Sequence, residues 1–274
     1  MTVPARVGVY GGGRMGAGIA HAFALAGAAV TVVENGADAA DAARDRIAAS
    51  LTTAVEKGAE VRGTAAVVTE PSALRDCVLV VEAVPELVEL KGEVLARIAE
   101  VAPEASIATN TSSLSIDELA GALPDPSRLI GLHFFNPVPV SDLVEIVVGA
   151  RTPDTLVEWA REWVSGLGKT AITVLDAPGF ASSRLGVALA LEAMRMLEEG
   201  VADAADIDTA MTLGYRHPVG PLKTTDIVGL DVRLAIAEHL ERELGTRFAP
   251  PKVLRDKVAA GDLGRKTGRG FYEW

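Results

Sequence analysis

The chain has a single cysteine, Cys77, so an intramolecular disulfide and a cysteine-rich metal site are both excluded. It has no apolar run long enough to span a bilayer. Basic residues are outnumbered, with a net charge of −11, so no broad basic face forms and nucleic acid is not expected as a partner. The N-terminal stretch MTVPARVGVYGGG goes straight into a strand-like run without a basic region before an apolar one. The expectation is therefore neither a signal nor a transit peptide, and a cytoplasmic location. Low-complexity segments and internal repeats are absent too. What is abundant is apolar residue, 49% of 274, enough for a sizeable core in one large or two ordinary domains.

Apolar runs and helical stretches alternate over the first two-thirds of the chain. RVGVY (6–10), AVTVVE (29–34), CVLVVEAV (77–84), SIATNTS with its exit loop (106–112), RLIGLHF (128–134), LVEIVVG (143–149) and TAITVLD (170–176) read as strands. Helices are expected at 14–27, 37–57, 86–102 and 153–166, with a less regular stretch up to Glu70. Unbroken apolar strands alternating with helices imply an α/β fold of Rossmann type, a mostly parallel sheet covered on both faces. The texture changes at APGF (177–180), where Pro178-Gly179 marks a boundary and strands give way to helices at 180–200, 203–213, 221–243 and 250–260. The expected organisation is an α/β domain, 1–178, followed by an all-α domain, 179–274. In the helix at 182–199, Leu185, Leu189, Met196 and Leu197 share roughly one face, which suits either a helix–helix core or a dimer seam.

The first strand runs into Gly11-x-Gly13-x-x-Gly16, and a helix follows. The pattern is weak alone but here has its proper context of strand, helix, second strand and an acid, Glu34, 18 residues after Gly16. The first glycine permits the tight turn, the second lets backbone approach a pyrophosphate, and the third lets the helix pack on the sheet. Glu34 is placed to accept hydrogen bonds from a ribose diol, which favours NAD over NADP; Arg14, inside the turn, is able to attract phosphate as well.

Of the four histidines, His133 stands out, at the end of an apolar strand in GLHFFNPV. Glu145 sits 12 residues later among Val, Ile and Leu, where a carboxylate is costly unless paired. An imidazole across the intervening turn is its natural partner, giving a base and the group that fixes its tautomer. Asn110, Ser112 and His133 all lie at carboxyl ends of strands, where open α/β sheets bind ligands. His21 among alanines, His217 before Pro218 and His239 between glutamates are weaker candidates, and no pair has metal-ligand spacing with a third ligand.

Taken together, GGGRMGAGIA, VVEAVPE, ATNTSSLSI, GLHFFNPV, VEIV, PVGPL and GRGFY resemble the 3-hydroxyacyl-CoA dehydrogenases over nearly the whole chain. The resemblance implies an NAD-binding domain followed by a helical substrate and dimerisation domain, and a homodimer. It implies oxidation of L-3-hydroxyacyl-CoA, the (S) form, to 3-ketoacyl-CoA in fatty-acid β-oxidation chemistry, with short chains such as 3-hydroxybutyryl-CoA expected. On motif positions, His133 corresponds to the catalytic base, Glu145 to its carboxylate partner, and Ser112 to the serine that bonds the substrate's 3-oxygen. Gly11, Gly13, Arg14, Met15, Gly16, Glu34, Glu86, Lys91, Ser112, Asn136 and Lys266 fall on cofactor-contacting positions. Ser50 and Lys57 fall on positions that hold coenzyme A. Two departures stand out. GFASSRL puts Ser183 where the family has an asparagine near the active site, a position also suited to a helix cap, with Ser182 as the other cap candidate. The stretch between Lys57 and Cys77, a helical arm near coenzyme A in the family, is shortened. Two alternatives stay open: a dehydrogenase of a CoA-free hydroxy acid or sugar acid of gulonate type, and a non-catalytic NAD-binding structural protein.

Overall fold

A computed structural model describes residues 3–274, and the chain divides into two compact units meeting between Ala177 and Pro178. The first unit is built on one eight-stranded sheet. Its strands are β1 (Arg6–Tyr10), β2 (Ala29–Val33), β3 (Thr64–Val68), β4 (Leu79–Glu82), β5 (Ser106–Thr109), β6 (Leu129–Phe134), β7 (Leu143–Val148) and β8 (Thr170–Leu175). They lie in the order β3-β2-β1-β4-β5-β6-β7-β8. Starting at β1, the chain steps outward to β2 and β3, then returns to the other side of β1 with β4. That reversal makes the carboxyl ends of β1 and β4 a topological switch point. All neighbours run parallel except β6 and β7, which pair antiparallel.

The helices of this unit are α1 (Arg14–Leu25), α2 (Ala37–Glu56), α3 (Val88–Val101), the short α4 (Ile116–Ala120) and α5 (Asp154–Gly166). Parallel strands buried on both faces need apolar side chains on both, which is why β1, β4 and β6 read as continuous runs: Val7, Val9, Leu79, Val81, Ile130 and Leu132 are all fully buried. The Ala- and Gly-rich α1 buries nearly its whole length, because small side chains let it approach the sheet closely.

The second unit is helical: α6 (Ser182–Glu198), α7 (Ala204–Thr209), α8 (Pro221–Val228), α9 (Leu230–Leu244) and α10 (Lys252–Ala259). Its core is formed by Val187, Leu191, Met194, Ile207, Leu222, Leu240 and Leu254 with their neighbours. Two buried aspartates organise the turns. Asp208 accepts from the backbone N–H groups of Leu222 and Lys223 at 2.8 and 2.9 Å, where they begin α8, and from the Tyr272 hydroxyl at 2.8 Å. Asp226 accepts from the N–H groups of Phe271 and Tyr272 at 2.8 and 2.9 Å and from Trp274 Nε1 at 2.8 Å. The segments PVGPL and GRGFY are thus the backbone partners of two buried carboxylates, which must be compensated when water is removed.

Three sequence expectations change. The stretch before Glu70 contains a strand, β3, whose half-exposed edge position and two alanines weaken its apolar signal. The helix expected at 221–243 breaks at Gly229, whose φ of 111° leaves the helical region. The helix at 203–213 ends its α-helical part at Thr209 and closes with a π-helical turn, Ala210–Gly214. No helix among the described residues is long and apolar enough to cross a membrane.

The Asp226 turn makes a stability prediction. A Cβ at Gly270 would lie 2.3 Å from Asp226 Oδ1, so Gly270→Ala should lower unfolding stability by about 1–3 kcal/mol, the usual cost of forced overpacking. Urea titration of the two proteins measures it, and an unchanged midpoint would show the turn to be pliable.

Candidate active site

The glycine turn sits at the switch point. Gly11, with φ +95°, makes the turn out of β1, and its N–H donates to Val33 O at 2.9 Å. A Cβ at Gly16 would lie 1.8 Å from Gly11 O, so only glycine lets α1 start this close to the strand. At Gly13 a Cβ would meet nothing within 4 Å, and α1 begins there without a side-chain cap. Open space above uncapped first-turn N–H groups is what a pyrophosphate requires, so the turn fits a dinucleotide. Glu34, at the end of β2, accepts from Gly12 N–H at 2.6 Å, which fixes a carboxylate one strand away. Arg14 is exposed at the start of α1 and Met15 is half-buried behind it.

Next to β1, the carboxyl end of β4 holds a buried ionic cluster. Lys91, 1% exposed in the first turn of α3, donates to both oxygens of Glu82 at 2.8 and 3.0 Å and to Val84 O at 3.1 Å. Glu82, fully buried, also accepts from Thr109 Oγ1 at 2.6 Å and Val84 N–H at 2.7 Å. Lys91 further lies 3.4 Å from Glu86. Glu86 Oε1 gathers the exit of β5, accepting from Thr111 Oγ1 at 2.6 Å, from the N–H groups of Ser112 and Ser113 at 2.7 and 3.1 Å, and from Ser112 Oγ at 3.1 Å. Burial opposes ionisation of Glu86, but the Lys91 charge and the donors from Thr111 and Ser112 outweigh it and hold the carboxyl below the usual glutamate range.

On the far side of β5, the antiparallel pairing sets His133 directly opposite Glu145. Opposed residues share a face, and His133 Nδ1 lies 2.7 Å from Glu145 Oε2. Glu145 is fully buried and His133 is 6% exposed. The Phe135 ring lies 4.4 Å from the imidazole, centroid to centroid. Asn110 Oδ1 accepts from Phe134 N–H at 2.9 Å, tying the exit of β5 to the end of β6. Asn136 is exposed just beyond. The turn that follows is fixed by Lys169, whose ammonium donates to Val138 O and Ser141 O at 2.7 and 2.5 Å.

The other sequence candidates lie elsewhere. Ser50 and Lys57 stand two turns apart on α2, Lys57 exposed as its C-cap and Ser50 bonded through Oγ to buried His21 Nδ1 at 2.8 Å. Burial, with a contribution from Lys169, pulls the His21 pKa down, in keeping with a neutral ring inside the fold. The segment after Lys57 forms β3 and a single turn of 3-10 helix, Pro71–Leu74. Lys266 belongs to the second unit and is paired with Asp231 at 2.6 Å. Ser183 is in the first turn of α6, whose N-cap is Ala181, so the capping roles expected for Ser183 and Ser182 are corrected: neither occupies the cap position. Burial pushes the Cys77 thiol up to about 11. No group of His, Cys, Asp or Glu suited to a metal ion occurs among the described residues. The sequence reading missed Glu82 and Lys169; for Glu82 the available signal was an acid ending an otherwise apolar strand, close before Glu86 and Lys91.

Comparison with known proteins bears on the whole chain. Residues 6–177 match the family model described as "3-hydroxyacyl-CoA dehydrogenase, NAD binding domain", and 179–274 match "3-hydroxyacyl-CoA dehydrogenase, C-terminal domain". The chain belongs to the 3-hydroxyacyl-CoA dehydrogenase family. Among its relatives, the 3-hydroxybutyryl-CoA dehydrogenase of Mycobacterium tuberculosis is 41% identical over 98% of both chains. The 3-hydroxyadipyl-CoA dehydrogenase of Escherichia coli is 39% identical over 98% of this chain and 58% of its own length. The crystal structure of (S)-3-hydroxybutyryl-CoA dehydrogenase from Ralstonia eutropha superposes with a TM-score of 0.93 at 38% identity, covering 99% of both chains. As a member of this family the protein is an oxidoreductase and its cofactor is NAD.

For this dehydrogenase, the Glu82–Lys91 pair is testable by a double-mutant cycle. Glu82→Leu should cost about 3–5 kcal/mol because it strands a buried ammonium, and Glu82→Leu with Lys91→Met should recover most of that loss. Denaturant unfolding measures all the variants; strictly additive losses would show that the two residues are not coupled.

Proposed function

We propose that the protein reversibly oxidises (S)-3-hydroxyacyl-CoA to 3-ketoacyl-CoA with NAD, acting on short acyl groups such as 3-hydroxybutyryl. The observation that carries this reading is the buried His133–Glu145 contact of 2.7 Å at the carboxyl edge of an NAD-binding sheet. Glu145 accepts from Nδ1–H, which fixes the tautomer in which Nε2 is the proton acceptor. His133 then takes the proton of the 3-hydroxyl as the bond from carbon to hydrogen breaks, and the imidazolium formed is stabilised by the carboxylate below it. The Gly11–Gly16 turn and Glu34 would hold NAD, which would supply a hydride acceptor for C3. In the reverse direction His133 returns the proton to the oxygen.

Ser112 is assigned to hydrogen-bond the 3-oxygen. Its loop is positioned by Glu86, which gathers the N–H groups of residues 112 and 113. Ser183 stands at the position of the family's asparagine and is assigned to the catalytic set on that correspondence. Glu34 takes the ribose diol and the Gly11–Gly16 turn the pyrophosphate, with Arg14, Met15, Glu86, Lys91, Asn136 and Lys266 completing the cofactor contacts; Ser50 and Lys57 are assigned to coenzyme A. Residues 1–178 thus form the cofactor and catalytic domain and 179–274 the substrate and dimerisation domain, in a cytoplasmic homodimer. Leu185, 71% exposed on α6, supports a partner-covered face there. The relatives' acyl groups differ at the end remote from the reacting carbon, a methyl in hydroxybutyryl-CoA and a carboxylate in hydroxyadipyl-CoA, so residues at that end set the choice.

His133→Ala should lower kcat by about 10²–10⁴ with little change in NADH affinity, and Glu145→Gln should also be slow. Single-turnover assays with acetoacetyl-CoA measure both. A near-normal rate for the glutamine variant would leave Glu145 a structural carboxylate. For the assembly, light scattering at micromolar concentration should give the mass of a dimer, and Leu185→Glu should shift it toward that of one chain.

A further inference from the structure

A hydroxyl in the middle of a helix can return its hydrogen to the carbonyl four residues back, and on α2 Thr53 does so, donating to Ala49 O at 2.9 Å. Ser50, one turn earlier, turns away from its own helix. Its Oγ lies 2.8 Å from Nδ1 of His21, which is 3% exposed in the middle of α1. Ala20 and Ala22 beside it are buried too, and α1 packs directly on α2, so the imidazole bridges the two helices. The proposed chemistry makes no use of this histidine.

His21 and Lys169 line one cavity of about 290 Å³. Burial, helped by the Lys169 charge, lowers the pKa of the ring, so it is neutral at pH 7 and carries one N–H. A serine hydroxyl also has one hydrogen. If Ser50 gave it to Nδ1, only oxygen lone pairs would be left for a ligand. If Nδ1 carries the proton, it donates to Oγ, and the serine O–H is free to donate outward. The ligand decides which arrangement is useful. Ser50 and Lys57, seven residues apart, share a face of α2 about 10 Å apart along its axis. An ammonium on that face suits phosphate, and the ionised phosphates of coenzyme A only accept hydrogen bonds.

We propose that His21 positions Ser50 for coenzyme A: Nδ1–H of the imidazole donates to Ser50 Oγ, and the serine O–H donates to a phosphate oxygen of the substrate's coenzyme A. The inference rests on the reading that Ser50 and Lys57 hold coenzyme A. His21 is a positioning residue, touching the serine and not the substrate. Without the ring, Ser50 falls back on the carbonyl of Arg46, four residues before it, and its only hydrogen is spent inside α2.

The test compares acetoacetyl-CoA with acetoacetyl-pantetheine, which has the same reacting end and no nucleotide phosphates, by following NADH consumption. His21→Leu should raise KM for acetoacetyl-CoA while kcat holds, because the contact is equal in ground and transition states. The ratio of kcat/KM between the two substrates should fall about tenfold, the worth of one charge-assisted hydrogen bond. His21→Asn, which keeps an N–H donor at the place of Nδ1, should restore most of that ratio. Equal ratios for the leucine and asparagine variants overturn the proposal and leave the ring a packing group. Ser50→Ala separates the two readings. If it lowers the ratio and His21→Leu does not, Ser50 meets coenzyme A unaided and the proposal fails alone; if it leaves the ratio unchanged, the assignment of Ser50 fails and the proposal with it. Nitrogen-15 spectra of the histidine-labelled wild-type protein test the tautomer without any variant having to fold: the His21 proton is expected on Nδ1, and a proton on Nε2 overturns the proposal.

Discussion

The buried pair between Glu82 and Lys91 sets the order of the sheet's carboxyl edge. Glu82 ends β4 with no access to water, so each of its lone pairs must find a donor inside the protein. Lys91 supplies two, which pins the first turn of α3; Thr109 supplies one, which locks β5 in register; the Val84 backbone supplies another, which bends the chain away from the strand. Lys91 in turn lies beside Glu86, and Glu86 gathers the serine-rich exit of β5. The position of the Ser112 loop therefore follows from a carboxylate one strand away through two ionic steps, with no contact between Glu82 and the loop's serines required.

The two units use buried charge in the same way for different ends. In the first, the acids sit at strand ends and hold loops next to the glycine turn. In the second, Asp208 and Asp226 replace the hydrogen bonds that helix starts and irregular backbone cannot make for themselves. That helical unit has short elements, and much of its definition comes from these two carboxylates in addition to its apolar core.

The strands buried on both faces were legible because nothing but apolar residue serves there, and the glycine turn because its spacing follows from the approach of α1 to β1. The cost of Glu145 among Val and Ile was visible as well; that it lies directly under His133 depends on an antiparallel register that periodicity does not encode. β3 was hidden because an edge strand with Ala65 and Ala66 is half solvated and carries little apolar contrast. The break at Gly229 was hidden because the apolar pattern runs through it, and one glycine within a helical pattern is ambiguous until its φ is known. Arg233 looks like any helix-surface arginine in DVRLAIAE, yet it is 9% exposed because α9 packs against α6.

The antiparallel step between β6 and β7 has a consequence for how this chain can vary. Side chains in a strand alternate faces, so sliding β7 by one residue would turn Glu145 to the opposite, equally buried face, away from its partner, and put an apolar neighbour against the imidazole. The turn at 135–142, although partly exposed, is accordingly a spacer of fixed length, with Lys169 clamping two of its carbonyls as a gauge. Ordinary surface loops drift freely in length among homologous proteins. This one is bound to the register of the strands on either side, so insertions and deletions in the first unit have room to accumulate elsewhere and not between His133 and Glu145.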